Sequence, residues 1–311
     1  MKNIKLKIND FNNIIINFFN NVFKFKKYPL KKLAKVSNFN KSIIFLISLL
    51  FLYLFYLSIP SLYDKERLQK ELAYKIKEEF KIDFSFSSEI SYSILPSPHI
   101  HLKNTKIFNE QSSTLNEIAQ IKDLKIFISQ TNLFNQNNIK IKKILINYAN
   151  FSIKRNDFKL INSFINQKFS SKKIIIKNSN IFYKAQNNET ISIFKISNLN
   201  LFLNIKKLFN QIEAKGKIYQ IPFKFKWTRD FAQSNSNKTN IEISKLNLKM
   251  TNDSVIKDSK YFADSKLVIG GSTLLFNYKI KDSLITLKST NSKLLNDNLR
   301  YDGLIQLNPF D

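Results

Sequence analysis

The chain has two histidines, His99 and His101, and they are the first residues to weigh for chemistry. As an H-x-H pair on a strand they share one face, a geometry that can hold a metal ion. There is no cysteine to add a ligand, and no Asp or Glu is patterned beside the pair. The simpler reading puts both on the outer face of a strand, with Ile100 and Leu102 turned inward. No G-x-S-x-G, G-x-x-x-x-G-K-[ST], H-E-x-x-H or G-x-G-x-x-G occurs. Gly270-Gly271 precedes an alternating stretch and reads as a turn or bulge. The expectation is a protein with no catalytic residue, no metal and no cofactor.

The elements around these residues are amphipathic surfaces. From Lys81 onward apolar residues recur with period two: Ile82, Phe84 and Phe86, then Ile90, Tyr92 and Ile94. Phe223, Phe225 and Trp227 repeat the pattern, as do Phe276, Tyr278 and Ile280. Asn, Asp and Ser clusters separate the runs and supply turns where glycine is scarce. The spacing predicts a mainly β region of many short antiparallel strands, with short helices near Phe164 and over residues 206–211. Weak repeats support stacked β units: residues 142–151 recur thirty positions later as 172–181, and residues 196–203 resemble 243–250 and 121–128.

Residues 42–59 hold eighteen positions without a charge. At ~1.5 Å rise per residue this is roughly 27 Å of helix, close to the ~30 Å core of a bilayer. Forty-one residues precede it, too many for a signal peptide, and Pro60 stands where cleavage would fall. Residues 42–59 therefore read as a transmembrane anchor. Seven Lys occupy the last twenty residues before it, against five Lys/Arg in residues 60–79. The positive-inside rule then places the N-terminus in the cytoplasm and the large domain outside, in the periplasm if the cell is bacterial. The absence of cysteine requires no disulfide there.

Residues 1–41 form a basic tail with ten Lys and one acid. Within it Phe11, Ile14, Ile15, Phe18, Phe19, Val22 and Phe23 keep helical spacing, with Asn on the other face and Lys at both ends. That pattern predicts an interfacial helix on an anionic membrane surface. Beyond the span, residues 60–80 predict a second amphipathic helix. Asp64 is its N-cap, Leu68, Leu72, Ile76 and Phe80 its apolar stripe, and Glu71–Lys75 an i, i+4 pair. The formal charge of +27 does not imply nucleic acid. Residues 60–311 spread 40 Lys/Arg among 22 acids with no basic cluster and no RNA- or DNA-binding motif, and the Lys/Asn/Ile/Phe bias fits an AT-rich coding sequence.

Residues 59–107 resemble the start of AsmA-like proteins. In that family a single span precedes an amphipathic helix, a strand pair and a Leu/Phe-Pro-Ser/Thr-Pro segment leading into an alternating strand. Leu95, Pro96, Ser97 and Pro98, followed by Ile100, Leu102 and Ile107, match that segment, and residues 218–227 resemble strands further along such proteins. The 41-residue leader and Ser88-Glu89, where the family often has Gly, depart from the pattern. The resemblance implies a single-pass inner-membrane protein of Gram-negative bacteria acting in outer-membrane biogenesis. It also implies a curved β-sheet whose apolar face carries phospholipid acyl chains. Phe223, Phe225, Trp227, Phe276, Tyr278 and Ile280 are the candidate lipid-facing residues.

Periodicity leaves two architectures for residues 81–311: a groove open on its apolar face, or a closed β-sandwich with that face as its core. The first goes with lipid handling, the second with an anchored assembly factor that binds other envelope proteins. Fifteen strands at ~4.8 Å spacing would span about 70 Å. The chain ends in a sequence that reads as a mid-domain strand, so the expectation is a truncated domain or a short member completed by another component.

Overall fold

The computed structural model describes residues 38–82, 84–85, 89–109, 116–232, 236–257, 260–281 and 284–306. The tail helix expected over residues 11–23 lies outside the described residues. Two compact units divide the chain between Tyr56 and Leu57.

The first unit contains most of helix α1 (Asn38–Ser58). Together with the 3-10 turn Ile59–Leu62 it forms one apolar stretch, Asn38–Leu62, of mean hydropathy 2.5. Consecutive residues Ile43, Ile44, Phe45 and Leu46 are all exposed, so apolar side chains cover every side of the helix. A helix apolar all round and unburied suits hydrocarbon and not water.

The second unit opens with helix α2 (Lys65–Phe80). Asp64 caps it, accepting from the Arg67 amide at 2.8 Å, and Glu71–Lys75 closes at 3.2 Å. Lys81 ends it in the left-handed region, its amide bonded to the Lys77 carbonyl. Leu68, Leu72, Ile76 and Phe80 are buried, Leu72 and Ile76 completely. The i, i+4 stripe thus does what such a stripe must in water, packing against other apolar surface.

That surface belongs to a sheet of seventeen strands. β1 (Phe84–Ser85) and β2 (Ile90–Ser93) lie end to end along β3 (His99–Asn109). The meander continues through β4 (Asn116–Ile128) and β5 (Ile141–Lys154). Beyond β6 (Lys173–Lys184) come β7 (Thr190–Asn204), β8 (Phe209–Ile218), β9 (Ile221–Asp230) and β10 (Ser236–Ile243). Then follow β11 (Leu248–Lys257), β12 (Lys260–Ile269) and β13 (Ser272–Lys281). β14 (Leu284–Ser289) and β15 (Ser292–Leu294) both pair with β13; β16 (Asp297–Leu299) and β17 (Asp302–Gln306) pair beyond them. No register among the described residues joins β16 or β17 back to β1 or β2, so the sheet is open and the closed sandwich is excluded.

Two expectations need correction. The sheet is not wholly antiparallel: β5 and β6 run parallel. Residues 155–172 make the crossover a parallel pair requires, and they contain helix α3 (Phe158–Asn166). Residues 206–211 are not a helix but a turn leading into β8. The thirty-residue repeat is this parallel pair. Lys143 lies beside Lys173 and the offset holds to Lys154 beside Lys184.

A crease crosses β3–β7. Inward positions run Ile100, Leu102, then Thr105 and Ile107 on β3, a step of three where alternation demands two. The same slip falls between Leu124 and Ile121 on β4, Ile146 and Ala149 on β5, Ile176 and Ser179 on β6, and Leu199 and Ile196 on β7. Each slip turns two successive polar-type residues outward: Lys103-Asn104, Lys122-Asp123, Asn147-Tyr148, Lys177-Asn178 and Ser197-Asn198. Asn104, Tyr148 and Asn178 take positive φ to achieve it. Such bulges bend strands and tighten their twist, and aligned across five strands they bend the sheet along one line. The crease ends at Gly216 on β8, where an added Cβ would sit 2.2 Å from the Lys195 carbonyl oxygen.

Candidate functional site

The inward positions of the sheet form one surface. On β9 they are Ile221, Phe223, Phe225, Trp227 and Arg229; on β13, Ser272, Leu274, Phe276, Tyr278 and Ile280. The registers of β10–β12 carry the same face from one to the other. Phe225 lies beside Ile241, then Met250, Leu267 and Leu274; Trp227 lies beside Thr239, then Asn252, Ser265 and Phe276. All six candidate residues, Phe223, Phe225, Trp227, Phe276, Tyr278 and Ile280, therefore share this face. They form two apolar banks, separated by β10–β12.

Cover over the face changes along its length. From β3 to β5 it is a dry core: Ile100, Leu102, Ile121, Leu124 and Ile126 are fully buried, and Ile144 and Ile146 nearly so. Helix α2 supplies the lid. Tyr63 donates its hydroxyl to the Leu133 carbonyl. Gln136 Nε2 donates to the Asp64 carbonyl at 2.8 Å, and Ser170 Oγ to Glu79 Oε1 at 2.6 Å. Helix α3 takes over next. Phe158 reaches Tyr183 on β6 (ring centroids 5.9 Å), and Phe164 stacks on Phe169 at 5.0 Å. Phe169 in turn meets Trp227 at 6.3 Å. Phe80, Phe164, Phe169, Ile174 and Leu201 line one pocket where the two helices meet the sheet.

Past Trp227 no described helix lies on the face, and its apolar residues are half-buried. Phe223, Phe225, Ile241, Met250, Leu267, Leu274, Phe276, Tyr278 and Ile280 shield one another but keep contact with solvent. From β9 to β17 this uncovered stretch measures roughly 30 Å at ~4.8 Å per strand. One leaflet of bilayer hydrocarbon is ~15 Å deep, so an acyl chain fits along it.

Sequence alternation did not show that part of this face is polar. Asn210, Arg229, Asn237 and Ser254 form one inward row; Thr239, Asn252 and Ser265 belong to the next. Ser265 Oγ donates to Asn252 Oδ1 at 2.7 Å and Tyr261 OH to Ser254 Oγ at 2.6 Å. Burial, then the neighbouring Tyr261, push the Tyr278 phenol up to about 12, with Asn252 opposing. Asn210 Oδ1 accepts from the Phe169 amide at 2.8 Å and its Nδ2 donates to the Gln167 carbonyl at 2.7 Å. That pair of bonds holds Phe169 against Trp227. The parity of Arg229, two residues past Trp227, was the available signal.

The other singled-out residues sit apart. Leu95 is exposed, whereas Pro98 is fully buried and its carbonyl accepts from the Ile128 amide at 3.0 Å. Pro96 and Ser97 complete the turn, with a cis Leu95-Pro96 bond. His99 stands on the outer face, opposite in parity to Ile100 and Leu102. It is buried, stacked on Phe127 at 5.1 Å with Nδ1 2.8 Å from the Ser97 carbonyl. His101 Nε2 lies 2.6 Å from Asp123 Oδ1 on the outer face of the crease, and Asn147 Nδ2 donates to Asp123 Oδ2. Phe11, Ile15, Phe18, Phe19 and Val22 lie outside the described residues.

The model of the AsmA family matches residues 37–301. The chain therefore belongs to the AsmA family. No curated protein sequence matches it.

Proposed function

We propose, from membership of the AsmA family, that the chain is an inner-membrane protein with a cytoplasmic N-terminus and a periplasmic sheet, acting without catalysis in outer-membrane biogenesis. Its sheet shields or carries phospholipid acyl chains. The observation that carries this reading is the uncovered apolar face from β9 onward. Apolar surface left in contact with water is costly, at about 25 cal/mol per Å2, and a contiguous stretch of it marks a binding surface. Acyl chains lying on Phe225, Ile241, Met250 and Phe276 would remove the cost. Where α2 and α3 already cover the face, no lipid is needed.

A photo-crosslinker replacing Phe225, in the full chain in cells, tests the reading. Phospholipid adducts are expected at 225 and none at Leu124, which is fully buried beneath helix α2. Equal yields at both positions, or protein adducts alone at 225, would count against it. The assembly-factor alternative assumed a closed β domain, which this open sheet is not.

A further inference from the structure

Arg229 lies near the end of β9 on the inward face, between Asn210 on β8 and Asn237 on β10. It is the only charged side chain among the described inward positions of β8–β14. No described carboxylate pairs with it. Its Nη1 donates to Asn166 Oδ1 at the end of α3, and its guanidinium carbon lies 5.5 Å from the Phe231 ring centre. Lys168 Nζ lies 5.7 Å from the same ring. Two cations thus meet at one aromatic side chain, Phe231.

Two polar atoms here lack partners. Arg229 Nε is buried without an acceptor, and Asn237 Oδ1 is buried without a donor. Asn237 is 9% exposed and is the direct cross-strand neighbour of Arg229. Leaving a buried polar atom unpaired costs ~1–3 kcal/mol, more for a charged group. The pair asks for a ligand that brings an anionic acceptor and a donor together. A guanidinium fork matches phosphate oxygens, and the hydroxyl or ammonium of a phosphate ester supplies the donor.

We infer that Arg229, Lys168 and Asn237 form a phosphate-ester site at the edge of the uncovered face, holding a phospholipid head group while its acyl chains lie on Phe225 and Ile241. The inference rests on the lipid reading above and adds a polar anchor to it. The next inward residue on β9 is Trp227, which Phe169 covers, and the one after it is Phe225, paired with Ile241, so a head group at Arg229 leaves its tails within reach of the uncovered apolar bank. Burial also draws the Arg229 guanidinium down from its ordinary value, and a bound phosphate would reverse that.

The test is calorimetric binding to the full chain in detergent, with four probes. They are a short-chain phosphatidylethanolamine, the diacylglycerol with the same chains, glycerophosphoethanolamine and inorganic phosphate. The phospholipid should bind about tenfold or more tighter than the diacylglycerol, the worth of one hydrogen bond to a charged group. Arg229→Gln should erase that gap and leave diacylglycerol binding unchanged; Arg229→Lys should retain part of it. Lys168→Gln, at an exposed position, should narrow the gap and serves if Arg229→Gln fails to fold. Equal binding of the two lipids by the unaltered chain would overturn the head-group site and leave the lipid reading standing. Failure of both lipids to bind would overturn both. Inorganic phosphate or glycerophosphoethanolamine binding as tightly as the phospholipid would assign the site to a free anion. Equal loss of both lipids in Arg229→Gln would reduce Arg229 to a support for α3 through Asn166.

Discussion

Gly216 has a negative φ and needs glycine for space alone. The bulge on β7 brings the Lys195 carbonyl against it, 2.2 Å from where a Cβ would lie, with a Phe223 ring carbon at 3.1 Å. A backbone oxygen in mid-sheet cannot retreat without breaking its ladder. Gly216→Ala should therefore destabilise the domain by ~1–3 kcal/mol, the usual cost of overpacking, and lower its denaturant midpoint. Gly303 has open space at its Cβ and should tolerate Ala. Tyr278 gives a prediction of opposite character. Its phenol is raised from 10.0 to about 12, by burial first and Tyr261 second. An acid whose pKa rises on folding contributes stability that is intact below pH 10 and is lost as pH climbs through 12. Tyr92 is likewise raised to about 12, by burial first and Tyr63 second, so spectroscopic titration should show late-ionising tyrosine signal that is reduced but not lost in Tyr278→Phe, and that variant should lose less stability over the same alkaline interval. An unchanged titration curve would show that another phenol is responsible.

Among the elements, α2 was the most legible, because every rule pointed one way: Asp64 as cap, Glu71–Lys75 as pair, Leu68, Leu72, Ile76 and Phe80 as stripe. The crease was not legible. A step of three in a two-residue pattern looks like a strand ending, and Asn104 and Asn178 resemble turn residues when only the sequence is in view. Register shows that strands β3 to β7 all slip at one level, information held between strands and not within any of them. The parallel β5–β6 pair was hidden similarly: the thirty-residue repeat was visible, but nine-residue α3 gave too weak a pattern to mark a crossover. The covered core and the uncovered face should also respond differently to truncation. Leu72 is fully buried in a dry core, so Leu72→Ala should cost ~2–5 kcal/mol. Phe276 is half-buried on the uncovered face, where mobile chains or detergent can fill the space, so Phe276→Ala should cost clearly less than the ~3–5 kcal/mol of a packed phenylalanine. Urea melts of the two variants in the same detergent compare them directly, and equal losses would show that the uncovered face is as tightly packed as the core.

At the scale of the whole molecule, a long apolar helix precedes a sheet that leaves its own apolar face uncovered. Both features are unfavourable in water and favourable beside lipid, which links them physically without any assumed geometry between the two units. The apolar helix, long enough to span a membrane, was readable because residues 42–59 hold eighteen positions without a charge in a Lys-rich chain. The openness of the sheet was not, since the same alternation serves a sandwich, and only the registers of the end strands decide it. Orientation follows from charge. Seven Lys lie in the twenty residues before the span, against five Lys/Arg in residues 60–79, which favours a cytoplasmic N-terminus. A reporter fused after Gln306 should then be active only outside the cytoplasm, and one fused after Asn3 only inside. Replacing both Leu50 and Leu54 by Arg should weaken insertion, at ~2.5–3.5 kcal/mol for each charge near the helix centre, and leave both reporters on the cytoplasmic side. Reversed signals from the unaltered chain would put the sheet in the cytoplasm, where its apolar face could not serve the outer membrane.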